Sequence, residues 1–227
     1  MKEFLKKIQC LNGFTLKLTA MVLMFIDHMG FILFPGKTWL RVIGRLSFPI
    51  FAFFVAEGFY HTKSKKKYIL RMLIFALITE PVFDIAFYGK INPVHQNVLF
   101  TFLMALFGLM VLDFITKKIP DAMASKLLGG LSFAIFALFA EVMRTDYGCF
   151  GVMLVYIFYT LRENFWSKHI FSSGLQLIWG AGIQKYSALS TVLLMMYNGR
   201  QGPKMKYLFY LFYPLHLVVL YLVAELI

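Results

Sequence analysis

The chain has 227 residues, 60% of them hydrophobic and 18% aromatic, with a mean hydropathy of +0.72. Soluble domains are roughly 45–50% apolar, so this composition excludes a water-soluble globular protein. The formal charge of +12 falls in short connections between apolar runs, the distribution of orientation signals rather than of a polyanion groove, and no nucleic-acid partner is expected.

Crossing a bilayer takes about 17–25 apolar residues per helix. Taken in chain order, the runs predict helices near Phe14 to Phe34, Leu40 to Tyr60, Tyr68 to Tyr88, Asn97 to Thr116, Leu127 to Arg144, Tyr147 to Arg162 and Tyr207 to Ile227. The basic, apolar start resembles a signal sequence but carries Lys17, Asp27 and His28 and lacks a small-residue cleavage site, so it reads as an uncleaved first helix. Residues 170–197 fit either one tilted helix or two short ones broken at Gly180, Ala181 and Gly182. Charge selects two. Lys63 to Lys67, Lys117, Lys118, Lys126, Arg162 and Lys168 share the side of Lys2, Lys6 and Lys7, and only two short crossings keep Arg200, Lys204 and Lys206 there as well. The expectation is a single all-α domain, residues 1–227, forming a polytopic bundle of about nine transmembrane segments with a cytoplasmic N-terminus in a plasma membrane, in keeping with a bacterial protein.

The first predicted helix carries the main chemical signal. Lys17 and His28 are eleven residues apart, which on a helix places them on one face about 16 Å apart along the axis. Ionisable groups inside a membrane helix are costly and default functional candidates. Asp27 points about 100° away from His28 and is free to meet Arg41 or Arg45. Arg41 with Arg45, and Glu80 with Asp84, are i,i+4 pairs on the next two helices, so a cation pair facing an anion pair is one arrangement to expect. Pro81 between the acids is expected to kink its helix and free a carbonyl. On the outer side Gln96 is a candidate acceptor-binding group, and Asn97 either caps the fourth helix or joins it. The Asp146, Tyr147, Gly148 stretch reads as a chain reversal.

The basic glycine loop Asn198, Gly199, Arg200, Gln201, Gly202, Pro203, Lys204, followed by Lys206, suits phosphate, although the same composition also serves topology or anionic headgroups. His216 stands open as a second intramembrane base or a hydrogen-bonded core residue. Cys10 and Cys149 show neither redox nor zinc spacing, and no metal is expected.

Several ordered motifs carry a resemblance: Ile26-Asp27-His28, Leu40 through Phe51 with Arg41, Arg45 and Pro49, Glu57-Gly58-Phe59, Thr79-Glu80-Pro81-Val82-Phe83-Asp84, Gln96-Asn97-Val98, Tyr197-Asn198-Gly199 with Gly202, and Phe212-Tyr213-Pro214-Leu215-His216. Together they resemble the TraX family over nearly the whole chain. That family's name-giving member is required for N-terminal acetylation of conjugative pilin, so the resemblance implies an acetyl or acyl transferase, without implying a pilin substrate. Lys17-x10-His28 is also similar to the basic-x10-histidine motif of membrane acyltransferase-3 proteins, in which the histidine is catalytic and the basic residue lies toward acyl-CoA.

The resulting expectation is an acyl-CoA (acetyl-CoA) donor bound by Lys17, Asn198, Arg200, Lys204, Lys206 and His216. His28 acts as general base, supported by Asp27, Arg41, Arg45, Glu80 and Asp84, and an extracytoplasmic amine or hydroxyl acceptor binds at Gln96 and Asn97. The alternative is a small proton-coupled transporter or exporter relaying protons through Asp27, His28, Glu80 and Asp84. A non-catalytic scaffold leaves the buried charges without a use, and no Gly-x-Ser-x-Gly or paired-histidine motif supports intramembrane proteolysis.

Overall fold

Helices start where a polar residue precedes an apolar run. Asn12, Ser64, Asn97, Asp121 and Asn164 each accept a backbone N–H in the first turn that follows, a cap contributing about 1 kcal/mol apiece. The computed structural model describes residues 8–180 and 182–227, with the backbone alone at 206. The elements are α1 Gly13–Ile32, α2 Thr38–Gly44, α3 Ser47–His61, α4 Lys65–Tyr88, α5 Val98–Lys118, α6 Ala122–Val142, α7 Gly148–Thr160, α8 Phe165–Trp179, a 3-10 helix Gly182–Leu189, α9 Ser190–Met195 and α10 Lys206–Leu226. No strand occurs among the described residues. Two isolated bridges, Leu11 to Tyr197 and Gln96 to Thr145, staple chain segments together.

Among the described residues five helices are long and apolar enough to cross a membrane: α1, α5, α6, α10, and α2 with α3 taken as one run. The second predicted helix is divided at Arg45 and Leu46. Pro49 has no N–H to give the Arg45 carbonyl, so the ladder is interrupted there and Arg45 sits at the joint. Pro81, by contrast, is carried inside the continuous α4. Residues 170–197 form two limbs: α8 starts earlier than expected, at Phe165, because Asn164 caps it. The chain then returns as the 3-10 helix and α9, with Ser173 Oγ 2.6 Å from Thr191 Oγ1 between the limbs.

The main core joins Phe48, Phe53, Phe59, Leu106, Leu109, Leu154 and Phe158 from α3, α5 and α7. A smaller one, Phe83, Tyr213 and Leu217 with Met24, Phe87 and Leu99, joins α4 and α10 to α1.

Close approach of α1 to α2 depends on two glycines. A Cβ at Gly30 would stand 2.7 Å from the Leu40 Cβ, and one at Gly44 would overlap Asp27 itself. With no room for a methyl group, Gly44→Ala is expected to cost about 1–3 kcal/mol, read as a lower melting temperature of the detergent-purified protein with an unchanged helical circular-dichroism spectrum below it.

Candidate functional site

Eleven residues after Pro203, α10 brings Pro214 and then His216 back against α1, and the pairing that results crosses almost the whole chain. His28 Nδ1 lies 2.7 Å from His216 Nε2, and His216 Nδ1 lies 2.7 Å from the Phe212 carbonyl oxygen. The rings stack at 8° with centroids 4.9 Å apart. A carbonyl only accepts, so His216 donates through Nδ1–H. Its neutral Nε2 is then an acceptor, and His28 must donate to it through its own Nδ1–H. The hydrogen bonds thus assign both tautomers and leave His28 Nε2 with a lone pair. A proton taken there is shared toward His216 through the Nδ1–H bond. Phe87 meets the His28 ring edge-on at 5.2 Å. His28 is half-buried while His216 is 4% exposed.

Asp27 faces away from His28 and holds the arginines of α2 and its joint. Arg45 grips it with two hydrogen bonds, Nη2 to Oδ2 at 2.6 Å and Nε to Oδ1 at 3.0 Å, the fork geometry that makes arginine–carboxylate pairs strong. Arg41 Nε approaches Oδ1 at 3.3 Å, and its guanidinium covers the Phe31 ring at 4.7 Å. Arg45 Nη1 also reaches Tyr147 Oη and Gln184 Oε1, both at 3.4 Å.

The expected clamp of Arg41 and Arg45 on Glu80 and Asp84 is corrected. Glu80 Oε2 accepts from the Asn97 backbone N–H at 3.0 Å and its amide at 2.5 Å, and Asp84 Oδ2 accepts from the Asn92 N–H at 2.9 Å. Asp27, nearer in the chain and forced against α2 by Gly44, takes both arginines instead. The acids therefore do not form one line with His28. Asn97 is corrected as an acceptor-binding residue too: its amide also donates to the Ala76 carbonyl at 3.0 Å, and its Oδ1 caps Leu99 at 2.9 Å, so no group remains. Gln96 turns its amide back to the Pro93 carbonyl at 2.9 Å.

Lys17 opens a different space. A cavity of about 270 Å³ runs beside α1 from Lys17 to Met24, with Phe54, Arg71, Phe102, Tyr210 and Tyr213 in its wall. Lys17 stands over the Phe54 and Phe209 rings at 4.7 and 5.4 Å. Lys17 and Arg71 face it, and no carboxylate is among its described wall residues. Two cations without an acid on a mainly apolar wall, to which Thr62, Tyr68, Tyr210 and Tyr213 add the hydroxyl groups, suit an anionic head with an apolar or extended tail. At the far end Tyr213 separates the cavity from His28, the two rings 6.1 Å apart.

An adjoining hollow of about 610 Å³ shares Lys17 and Phe209 with it and adds Gly202, Pro203 and Lys204. The glycine loop is held over the start of α1 by Gly13 N–H to the Arg200 carbonyl, 2.8 Å, and Asn198 N–H to the Leu11 carbonyl, 2.9 Å. Gly199 and Gly202 take positive φ there, 76° and 70°.

Of the predicted donor-binding set, Lys17 and Lys204 line this mouth. Arg200 contributes its carbonyl to the loop and leaves an exposed side chain, and Asn198 Oδ1 is bonded to the Arg200 N–H at 2.9 Å. The Lys206 side chain and Ala181 lie outside the described residues. His216 is corrected: ten residues along α10 from its start, about 15 Å, it belongs with His28 and not with the loop.

Sequence reasoning missed Arg71, Tyr147, Gln184 and Tyr213 as site residues. Arg71 follows the lysine run on α4 and reads as an orientation charge. Tyr147, stacked on Phe48 at 3.5 Å, reads as part of a turn. Gly148 beside Tyr147 was the available signal, since its positive φ of 46° sets how the chain enters α7.

The TraX protein family model matches residues 12–224. The chain is also similar to a "Probable fimbrial assembly protein FimC, serogroup H1" of Dichelobacter nodosus, 29% identical over 92% of this chain and 94% of that protein. It is 40% identical to an uncharacterised protein of Rickettsia prowazekii (strain Madrid E) over 30% of this chain and 27% of the other. No solved structure matches it.

Proposed function

Since the chain belongs to the TraX family, we propose that it is a multi-pass plasma-membrane acyl transferase, moving an acetyl or other short acyl group from cytoplasmic acyl-CoA to an amine or hydroxyl presented from the opposite face. The observation that carries this reading is the hydrogen-bonded His28–His216 pair beyond the end of a cavity whose other end holds Lys17 and Arg71. The excess of lysine and arginine on the Lys17 side supports a cytoplasmic position for that end. The name of the Dichelobacter relative suggests a surface-fibre subunit as one class of acceptor.

In this reading phosphates lie at Lys17, Arg71 and Lys204, and the pantetheine arm follows α1 toward His28. The acceptor gives its proton to His28 Nε2 as its lone pair attacks the thioester carbonyl. The C–S bond then breaks, the thiolate of CoA leaves and receives that proton, and His28 returns to neutral. Arg41 suits the oxyanion better than Arg45. Its terminal N–H groups hold no hydrogen bond among the described residues, whereas Arg45 spends its fork on Asp27.

The test is transfer of isotope from labelled acetyl-CoA to membranes of cells producing the protein. Label in excess of that in cells lacking it supports the reading, and none overturns it. Kinetics should divide the two ends of the site. Lys17→Ala and Arg71→Ala are expected to raise KM for the donor about tenfold each with kcat nearly kept, in line with a charged hydrogen bond of about 1.5–3 kcal/mol. His216→Phe should lower kcat about 10–100-fold at unchanged KM, because His28 loses the acceptor that sets its tautomer.

A further inference from the structure

The turn from α5 to α6 is basic, with Lys117, Lys118 and Lys126 around it, and Arg162 stands just past the end of α7. The excess of lysine and arginine assigns this side to the cytoplasm. Here the ends of the three helices leave a hollow of about 400 Å³ between them, which shares no wall residue with the donor cavity.

Lys126 and Arg162 are its cations. Lys126 makes no ion pair among the described residues. Arg162 lies over the Tyr60 ring at 3.8 Å and pairs at 3.1 Å with Glu163, whose side chain is 81% exposed, so water screens that pair. Asp113, the acid in the wall, is already held: its Oδ2 takes Lys65 Nζ at 2.7 Å and Lys117 Nζ at 2.8 Å. Four cations thus surround two carboxylates, and the surplus is positive. The wall also carries the Ser125, Tyr156 and Tyr159 hydroxyl groups, which make no hydrogen bond among the described residues, and Ser125 is only 8% exposed. Cations and unspent hydroxyl donors around one hollow suit the oxygens of a phosphate.

Depth and surroundings select a lipid as its bearer. Ser125 lies one turn into α6 and Tyr156 one turn before the end of α7, the level at which tyrosines meet headgroups. From the turn that carries Lys126, an apolar stripe runs along α6 through Leu127, Leu131, Ile135 and Leu138, each between 45% and 64% exposed. A phospholipid with its phosphate in the hollow lays its chains on that stripe, whereas a free phosphate leaves the stripe unused.

We propose that this hollow is a binding site for the phosphate headgroup of an anionic glycerophospholipid of the cytoplasmic leaflet, held between Lys126 and Arg162 with Ser125, Tyr156 and Tyr159 as hydroxyl donors. Basic recesses between helices on this face of a membrane protein recognise such headgroups. The bound lipid joins the ends of α5, α6 and α7, and its binding is independent of acyl transfer.

Native mass spectrometry of the detergent-purified protein, offered phosphatidylglycerol and zwitterionic phosphatidylethanolamine in equal amounts, tests this. A retained phosphatidylglycerol adduct is expected, and Lys126→Gln combined with Arg162→Gln should weaken it about 30-fold, roughly fivefold for each cation removed. Lys66→Gln combined with Lys67→Gln removes the same charge from exposed lysines at the start of α4 and should leave binding nearly unchanged. Equal weakening in that control, or no preference for phosphatidylglycerol, overturns the proposal. Millimolar inorganic phosphate should not displace the lipid from the wild-type protein, and displacement would make this a site for free phosphate and overturn the lipid assignment. If the double variant does not fold, phosphatidylglycerol with a photoreactive headgroup decides the matter on the wild-type protein. Crosslinks within residues 113–126 or 156–162 support the site, and crosslinks confined to other segments overturn it.

Discussion

Purified His28→Ala is expected to lose acyl transfer by about 10²–10⁴-fold in kcat, the range a positioned general base supplies, with KM for acyl-CoA unchanged. The reason is geometric. His28 Nε2 is the ring nitrogen left without a proton once Phe212 and His216 have fixed the tautomers through bonds of 2.7 Å each. The ring packs against Phe87, Tyr213 and His216, so alanine also opens a void. A monodisperse detergent profile and a retained helical spectrum separate loss of chemistry from loss of fold. His28→Gln fills most of the same volume and keeps a hydrogen bond to His216 but offers no base, and it should be as inactive as alanine. Activity within threefold of wild type in a folded His28→Gln protein would remove the histidine from the mechanism.

The second large effect is on stability. Asp27 is 5% exposed and is the carboxylate bound by both Arg41 and Arg45. Asp27→Ala strands two guanidinium groups between α1 and α2, and breaking a buried pair in this way costs about 3–5 kcal/mol. A membrane-extracted protein with ordinary stability of about 5–15 kcal/mol has little room for that loss, so the variant should give low yield and a melting temperature lower by 10 °C or more. Asp27→Asn keeps the shape and one acceptor oxygen and should fall between. Adding Arg45→Leu to Asp27→Ala removes the more deeply held stranded charge, and part of the lost stability should return. If the double variant melts below Asp27→Ala, Arg45 has a stabilising role apart from Asp27, in its contacts with Tyr147 and Gln184.

How the site reads from sequence depends on the distance over which each interaction acts. Asn97 illustrates a local signal: an amide just before an apolar run caps it, and that reading needs no tertiary information. Arg45 illustrates a mixed one. The sequence reads Leu40 to Tyr60 as one helix, and the break at Arg45 comes from Pro49 four residues on, which gives the Arg45 carbonyl no N–H; its choice of Asp27 over Glu80 or Asp84 follows from how closely α1 and α2 approach at Gly44. His216 lies at the far extreme. Nothing near it in sequence indicates a partner 188 residues away.

The sequence by itself determined the class of molecule: helices of membrane-spanning length, their order, the reversal within residues 170–197, and the family. All of these follow from the helical repeat, from caps and from the cost of placing charge in hydrocarbon, which act within a few turns. Only the tertiary structure decided which acid meets which arginine, that His216 completes His28, and that Lys17 shares a cavity with Arg71. Those outcomes depend on which helix faces touch and at what depth, and a side chain's partner across a bundle is set by packing that no local pattern records.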